Sequence, residues 1–343
     1  MGETLAVKYR PKKFDDVVGQ SSTKAILLNQ LQNHSVKNAY LFCGGAGTGK
    51  TTCARIFASE INEGKGIPIE LDAASHSSVE DVRGIIEQAQ TKSLYSEYKV
   101  FIVDECHSLS NTAWQAFLKL LEEPPAKSIF IFCTTNPEKI PATILSRVQR
   151  YNFHRINQEG IHNRLMYIYQ KECLENKWQL SQSYVSAFDY IAKIANGGLR
   201  DAITLLDKCL SYSTDLTIEN VLKAIGNADY VTMMNLTDAI VHTDNKEIIN
   251  IIEDVNAYGV DLKQFIKQFL NFVLDVSKYS MAGIEFTNLP NTEGLVKWLN
   301  KKSEEFDKIL TLLDILVNLN SEIKYDDNPK YMIEATLLTR RIE

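Results

Sequence analysis

AYLFCGGAGTGKTTCARIFASEI, residues 39–61, is the stretch from which the rest of the chain is read. Residues 39–43 form a short apolar run of the kind that makes a buried strand, and residues 51–61 follow as a helix. Between them GGAGTGKT (44–51) fits G-x-x-x-x-G-K-[ST], in the strand-to-helix context that this motif demands. Its glycines let the backbone curl so that successive N–H groups point inward at a phosphate. The positive end of the helix adds to that field. Lys50 is a point charge for the β- and γ-phosphates of ATP, and the Thr51 hydroxyl is placed to ligate Mg²⁺. Gly44, Gly45, Ala46, Gly47, Thr48, Gly49, Lys50, Thr51 and Thr52 are therefore the candidate phosphate-contacting residues. A Gly-rich turn matching by chance would lack the correctly placed strand and helix.

VFIVDE (100–105) supplies a second half. Four apolar residues bury the strand, and Asp104 emerges at its carboxyl end, where ligands of open α/β sheets bind. One carboxylate there can hold a Mg²⁺ shell, and a second can orient and deprotonate an attacking water. Those roles fall to Asp104 and Glu105. Two acids at a strand end are commonly just solvated; beside a phosphate-binding loop they have a use.

Further strands are expected at 67–72, 99–105, 128–135 and 150–153. Ser78 caps a helix running to about residue 89, and T-A-W-Q (112–115) reads as a capping box. The helix it opens puts Ala113, Trp114, Phe117, Leu118 and Leu121 on one face, and Pro124-Pro125 ends it. This alternation is the pattern of a parallel sheet covered by helices. Beyond about residue 155 helical periodicity takes over, with a break at Gly197-Gly198 that opens a helix at Leu199 and another shift at Gly226-Asn227. The expected organisation is α/β over 1–155, a small helical domain over 156–226 and an all-helical domain over 227–343.

Composition narrows the class. The chain is 45% apolar and 23% charged, so a sizeable core is possible. It has neither an apolar run of about 18 residues nor a signal peptide, which reads as cytoplasmic with no membrane partner. A formal net charge of −6 argues against a surface that grips nucleic acid everywhere, but not against a local patch. Six cysteines are scattered with no CxxC pair, so neither a disulfide framework nor a zinc site is expected. Cys43, Cys53 and Cys133 read as small hydrophobes.

Several longer motifs then align in order. KYRPKKFDDVVGQ (8–20), IELDAASHSSVEDVR (69–83), DECHSLSNTAWQAFLKLLEEPP (104–125), TTNPEKIPATILSRVQRYNF (134–153) and GGLRDAITLLDK (197–208) resemble consecutive motifs of the bacterial DNA polymerase III γ/τ clamp-loader subunits, AAA+ ATPases. NPKYMIEATLLTRR (328–341) resembles the end of their collar domain. The resemblance implies an AAA+ domain, a helical lid and a collar. It implies that Arg147 is an arginine finger acting in trans on a neighbouring subunit's γ-phosphate, where an always-charged fork spreads transition-state charge. Without the ILSR context Arg147 would read as a surface arginine closing a helix. By the same resemblance Thr135, ahead of Thr134, is the polar sensor between ion and water. Arg200 is the lid arginine that contacts nucleotide, where otherwise it would simply pair with Asp201. Tyr9, Arg10, Pro11, Val18 and Gly19 line the adenine pocket, and Lys119 lies near the ring interior.

The chain departs from that family at three places. The interval where a four-cysteine zinc module normally sits is only NEGKG (62–66), so no zinc is expected, and neither is a τ-type extension. Val148 stands where the family usually has cysteine. The implied activity is ATP hydrolysis that opens a sliding clamp and loads it on primer–template DNA. It would run in a probable pentameric ring with δ-like and δ′-like subunits, DNA being held by phosphate contacts. The alternatives are another AAA+ DNA-remodelling ATPase (a replication factor C small subunit or a branch-migration helicase) and, behind those, a non-hydrolysing δ′-like structural subunit.

Overall fold

The structure is a computed structural model that describes residues 3–91, 93, 95–180, 184–225, 230–257 and 259–340. The chain divides into two compact units, Met1–Trp178 with Ile191–Asp207, and Gln179–Tyr190 with Lys208–Glu343. The sequence break at Gly226-Asn227 lies outside the described residues.

The first unit opens with α1 (Leu5–Lys8) and α2 (Ser21–Gln32), then alternates strand and helix: β1 (Ala39–Gly44), α3 (Lys50–Ile61), β2 (Ile69–Asp72), α4 (Val79–Gln90), β3 (Lys99–Asp104), α5 (Asn111–Glu122), β4 (Ser128–Thr134), α6 (Ala142–Leu145), β5 (Gln149–Phe153) and α7 (Gln158–Asn176). The strands make one sheet in the order β2-β3-β4-β1-β5, every pair parallel. Parallel strands need crossover helices, and those helices bury both faces.

Period-2 alternation sorts the side chains. Leu41, Phe101, Val103, Phe130 and Phe132 pack with Val82, Ile85, Trp114 and Phe117 of α4 and α5. Tyr40, Phe42, Val100, Ile102 and Ile131 pack with Leu27 of α2 and with Cys53 and Phe57 of α3. The Phe101 and Phe130 rings stack at 5.0 Å, and Phe117 meets Phe132 edge-on at 5.2 Å. Such pairs contribute about 0.5–1.5 kcal/mol beyond their buried area.

The chain corrects four local expectations. β2 begins at Ile69 rather than residue 67: Pro68 has no N–H for the ladder, pairing starts at Ile69 opposite Phe101, and Ile67 is 92% exposed. Glu105 is not part of β3, because its φ of 45° turns the backbone into the left-handed region. α5 is capped by Ser110, whose hydroxyl accepts from Ala113 N, so Thr112 is inside the helix and the capping box is not formed. The capping box sits instead at Ser78, paired reciprocally with Asp81. On α5 the fully buried face is Ala113, Trp114, Phe117 and Leu120, with Leu118 and Leu121 only partly buried.

α8 (Tyr184–Ile194) and α9 (Leu199–Tyr212) flank the Gly197-Gly198 break where the sequence placed it. The second unit is helical: α10 (Ile218–Ile225), α11 (Tyr230–Val241), α12 (Asn245–Ala257), α13 (Leu262–Ala282), α14 (Glu293–Ser303), α15 (Phe306–Glu322) and α16 (Pro329–Thr339). Phe265, Phe269 and Val276 of α13 share its core with Leu312, Leu316 and Leu319 of α15. Lys302 is wholly buried there, 2.7 Å from Asp238 and also paired with Glu305. Burial alone would pull its ammonium down, but the two carboxylates outweigh that and hold it raised. Among the described residues no helix is long and apolar enough to cross a membrane.

Candidate nucleotide-binding and hydrolysis site

The loop after β1 turns sharply because two glycines adopt positive φ, Gly47 at +68° and Gly49 at +98°. Gly49 is the N-cap of α3, so the helix N-terminus opens directly onto the loop. A Cβ on Gly47 would sit 3.1 Å from Gly198 Cα and 3.4 Å from Arg200 N. Leu199 N donates to Gly47 O at 3.0 Å, which ties the start of α9 to the loop.

Lys50 is only 6% exposed, and its ammonium donates to Gly44 O at 2.9 Å and to Gly45 O at 2.8 Å. The Thr48 hydroxyl donates to Gly45 O at 2.9 Å. The Thr51 hydroxyl donates to Asp104 Oδ2 at 2.7 Å, bringing the loop's helix and the end of β3 together. Asp104 Oδ1 accepts from the backbone N of Glu105 at 3.0 Å. The Glu105 carboxylate in turn accepts from the Thr135 hydroxyl at 3.1 Å. Thr134, wholly buried, faces His107 Nδ1 at 3.2 Å and accepts from Asn136 N. β3 and β4 are neighbours, which is why Glu105 and Thr135 meet across adjacent strand ends.

Lys50, Thr51, Asp104 and Glu105 border a cavity of about 850 Å³ at the carboxyl ends of the strands, whereas Gly44, Gly45 and Thr135 are not among its walls. Of the candidate residues, Tyr9, Arg10, Pro11, Val18, Ala46, Gly47, Thr48, Gly49, Lys50, Thr51, Thr52, Asp104, Glu105 and Arg200 all line it. Gly19, at φ +72°, shapes the turn just before Gln20, whose side chain bridges Thr48 O and His154 O. Arg147 lies elsewhere. Its guanidinium donates to Glu122 at 2.6 Å and to Thr143 O at 2.7 Å, and it is not among the cavity walls. Lys119 is on the exposed side of α5.

The cavity wall also includes residues that sequence reading missed, among them Ala6, Val17, Ile156, Leu199, Ile203 and Arg164. Arg164 of α7 donates to Tyr9 O at 2.7 Å and lies over the Tyr167 ring at 5.1 Å. Burial pulls its guanidinium below the usual arginine value. The Tyr9 hydroxyl donates to Glu172 Oε1 at 2.7 Å, and its pKa is pushed up, first by burial and then by that bond. The KYRP motif marked Tyr9; the α7 residues carry no local signal, because only tertiary packing brings them to it.

The donor set fits a magnesium nucleotide. A hydroxyl and a carboxylate oxygen, already 2.7 Å apart at the mouth of the loop, are the hard ligands this ion takes beside phosphate oxygens. Among the described residues no group of three or more His, Cys, Asp or Glu side chains is arranged to hold a metal.

Comparison with known proteins identifies the family of the chain. A family model described as "DNA polymerase III, delta subunit" matches residues 65–157, and one described as "DNA polymerase III subunits gamma and tau domain III" matches 216–340. DNA polymerase III subunit tau of Bacillus subtilis is 33% identical, with 96% of this chain and 62% of the relative covered. The gamma/tau subunit of Mycoplasma genitalium is 31% identical, with 97% and 59% covered. Thus the chain spans about three fifths of the length of these two relatives. Subunit gamma of Buchnera aphidicola from Acyrthosiphon pisum is 29% identical, with 98% of each covered. Among solved structures, the Thermotoga maritima RuvB Holliday junction branch migration motor superposes with a TM-score of 0.51 at 19% identity, over 74% of this chain and 86% of that one. That likeness identifies the fold as AAA+. With the two domain matches and relatives at about 30% identity over nearly its whole length, this chain belongs to the γ/τ family of DNA polymerase III subunits.

Proposed function

We propose that the chain is an ATP-hydrolysing motor subunit of a cytoplasmic clamp loader. In a ring with δ-like and δ′-like subunits, pentameric by analogy, it would open a sliding clamp and load it on primer–template DNA. Residues 1–155 would form the ATPase domain, 156–226 the lid and 227–343 the collar.

One observation carries the hydrolytic part of this reading. The binding half and the hydrolytic half of a nucleotide site meet in one constellation, Thr51 to Asp104 at 2.7 Å and Thr135 to Glu105 at 3.1 Å. The loop amides and Lys50 bind the phosphates, while Tyr9, Val18 and their apolar neighbours take the base. Thr51 and Asp104 would hold Mg²⁺, which when bound would supply charge neutralisation at the phosphates. Glu105 orients a water and takes its proton as the water oxygen bonds to the γ-phosphorus. The bond to the bridging oxygen breaks, and its electron pair leaves with ADP. Thr135 steadies Glu105, and Arg200 senses nucleotide from the lid side.

Arg147 completes the site in trans: a guanidinium outside its own cavity suits a neighbour's phosphate. Hydrolysis therefore waits on assembly, which makes the cycle mechanical.

The test is ATP turnover of the assembled complex with and without a sliding clamp and primed DNA. Stimulation by both together supports the reading. DNA unwinding without a clamp requirement would favour the branch-migration alternative, and absence of ATP binding would favour a structural subunit.

A further inference from the structure

Glu105 occupies a backbone conformation that ordinary residues avoid, φ 45° and ψ 41°, at the junction of β3 and the 3₁₀ turn Cys106–Ser108. Strain of this kind costs on the order of 1–3 kcal/mol and persists where surrounding contacts over-determine the side chain. Those contacts converge on one carboxylate oxygen. Oε2 accepts from the Thr135 hydroxyl at 3.1 Å and lies 3.3 Å from His107 Nδ1. Oε1 has no hydrogen-bond partner among the described residues.

His107 is itself well held. Its ring is largely buried, with 17% of the side chain exposed, and Nδ1 lies 3.2 Å from Thr134 Oγ1. That hydroxyl oxygen also accepts from Asn136 N at 3.0 Å, which pins it to the loop after β4. A carboxylate can only accept, so a proton on Nδ1 is the tautomer that makes the 3.3 Å approach to Glu105 favourable while the ring donates to Thr134.

We propose that His107 is a positioning residue for hydrolysis at this site. Together with Thr135 it grips Oε2 of Glu105 and leaves Oε1 as the oxygen that receives the water's proton. The proposal rests on the reading that Glu105 is the general base. A purely structural histidine, filling space in the 3₁₀ turn, would affect folding without caring which ring position carries a donor.

Side-chain length separates the two. An asparagine amide nitrogen reaches the place of Nδ1, whereas a glutamine amide reaches that of Nε2. The experiment measures single-turnover ATP cleavage and ATP affinity in the assembled, clamp- and DNA-stimulated complex. It compares wild type, His107→Ala, His107→Asn, His107→Gln, Glu105→Gln and the Glu105→Gln/His107→Ala double variant. The expected result is a loss of about tenfold or more in cleavage rate for His107→Ala with ATP affinity within about twofold, since small misplacements of a reacting group are costly. His107→Asn restores most of the rate, His107→Gln does not, and His107→Ala adds no further loss to Glu105→Gln. Wild-type cleavage in His107→Ala overturns the proposal, as does equal rescue by Asn and Gln, or a full additional loss in the double variant. If His107→Ala does not fold, the Asn-versus-Gln comparison decides alone. Should Glu105→Gln cleave ATP like wild type, the general-base reading fails and this proposal with it; a loss in Glu105→Gln without the His107 pattern sinks only the present proposal.

Discussion

A threonine and an aspartate 53 residues apart meet at 2.7 Å, and that single contact joins a phosphate loop to an acidic strand end. Predictions at this scale follow from which atom does what. Replacing Glu105 by Gln keeps shape and cavity wall but removes the proposed proton acceptor; ATP binding should survive while turnover falls by about 10²–10⁴. Equilibrium nucleotide binding and steady-state hydrolysis together check it. Lys50→Ala should instead weaken binding, because a charge-assisted hydrogen bond contributes about 1.5–3 kcal/mol, or tenfold and more in Kd. The cysteines give a different test. All six are free and buried, with burial pushing Cys53 up to about 12 and Cys209 up to about 11. At pH 8 the native chain should alkylate slowly at all six, becoming reactive only on unfolding; mass spectrometry of native and denatured samples reads this directly. That Lys50, Thr51, Asp104 and Glu105 come together at one cavity was legible because their motifs lie in local spacing. Arg164 and Ile156 were not, since only long-range packing places them beside Tyr9, and nothing near them in sequence signals it.

At the scale of elements, strands and their order of burial were legible because buried parallel strands are uninterrupted apolar runs. Helix starts were less so. Two hydroxyls compete for the cap of α5, and Ser110 wins because the backbone there is extended (φ −65°, ψ 157°), while Thr112 already has its place in the first turn. The N-terminal segment is an element whose anchoring titrates. Lys8 donates to Glu172 at 2.6 Å and to Glu175 at 2.5 Å, and Tyr9 adds its hydroxyl to Glu172. Burial acts to raise the Glu172 carboxyl, but its bonds from Lys8 and Tyr9 prevail and hold it below the usual value. The stabilisation is therefore complete above the ordinary glutamate value of about 4.3 and is lost as pH falls through the lowered folded value. The Tm gap between wild type and Glu172→Gln should thus be full at pH 6–8 and shrink below about pH 4. A gap that widened on acidification would reverse the assigned sign. In the phosphate loop, Gly47→Ala places a Cβ 3.1 Å from Gly198 Cα on a residue with φ +68°, so it should impair nucleotide binding beyond what Gly198 can yield.

For the whole molecule, the family assignment drew on motifs scattered from the N-terminal segment to the end of the chain. No single one would have sufficed; their order and spacing did. What sequence could not show is geometry: Arg147 carries the same residue name whether it serves its own cavity or a neighbour's. In the structure it is engaged by Glu122 and lies off the cavity walls. On the proposed reading the assembled complex holds DNA through phosphates without base contacts, so binding should weaken steeply with salt, and a titration between 50 and 200 mM salt would show a log–log slope set by the phosphate contacts. The central claim is that cleavage requires a neighbour's guanidinium, and it is tested most directly by the Arg147→Ala chain reconstituted into the complex with clamp and primed DNA. The expected outcome is unchanged ATP binding with stimulated hydrolysis reduced by about 10³–10⁵; stimulated hydrolysis at the wild-type rate would contradict it.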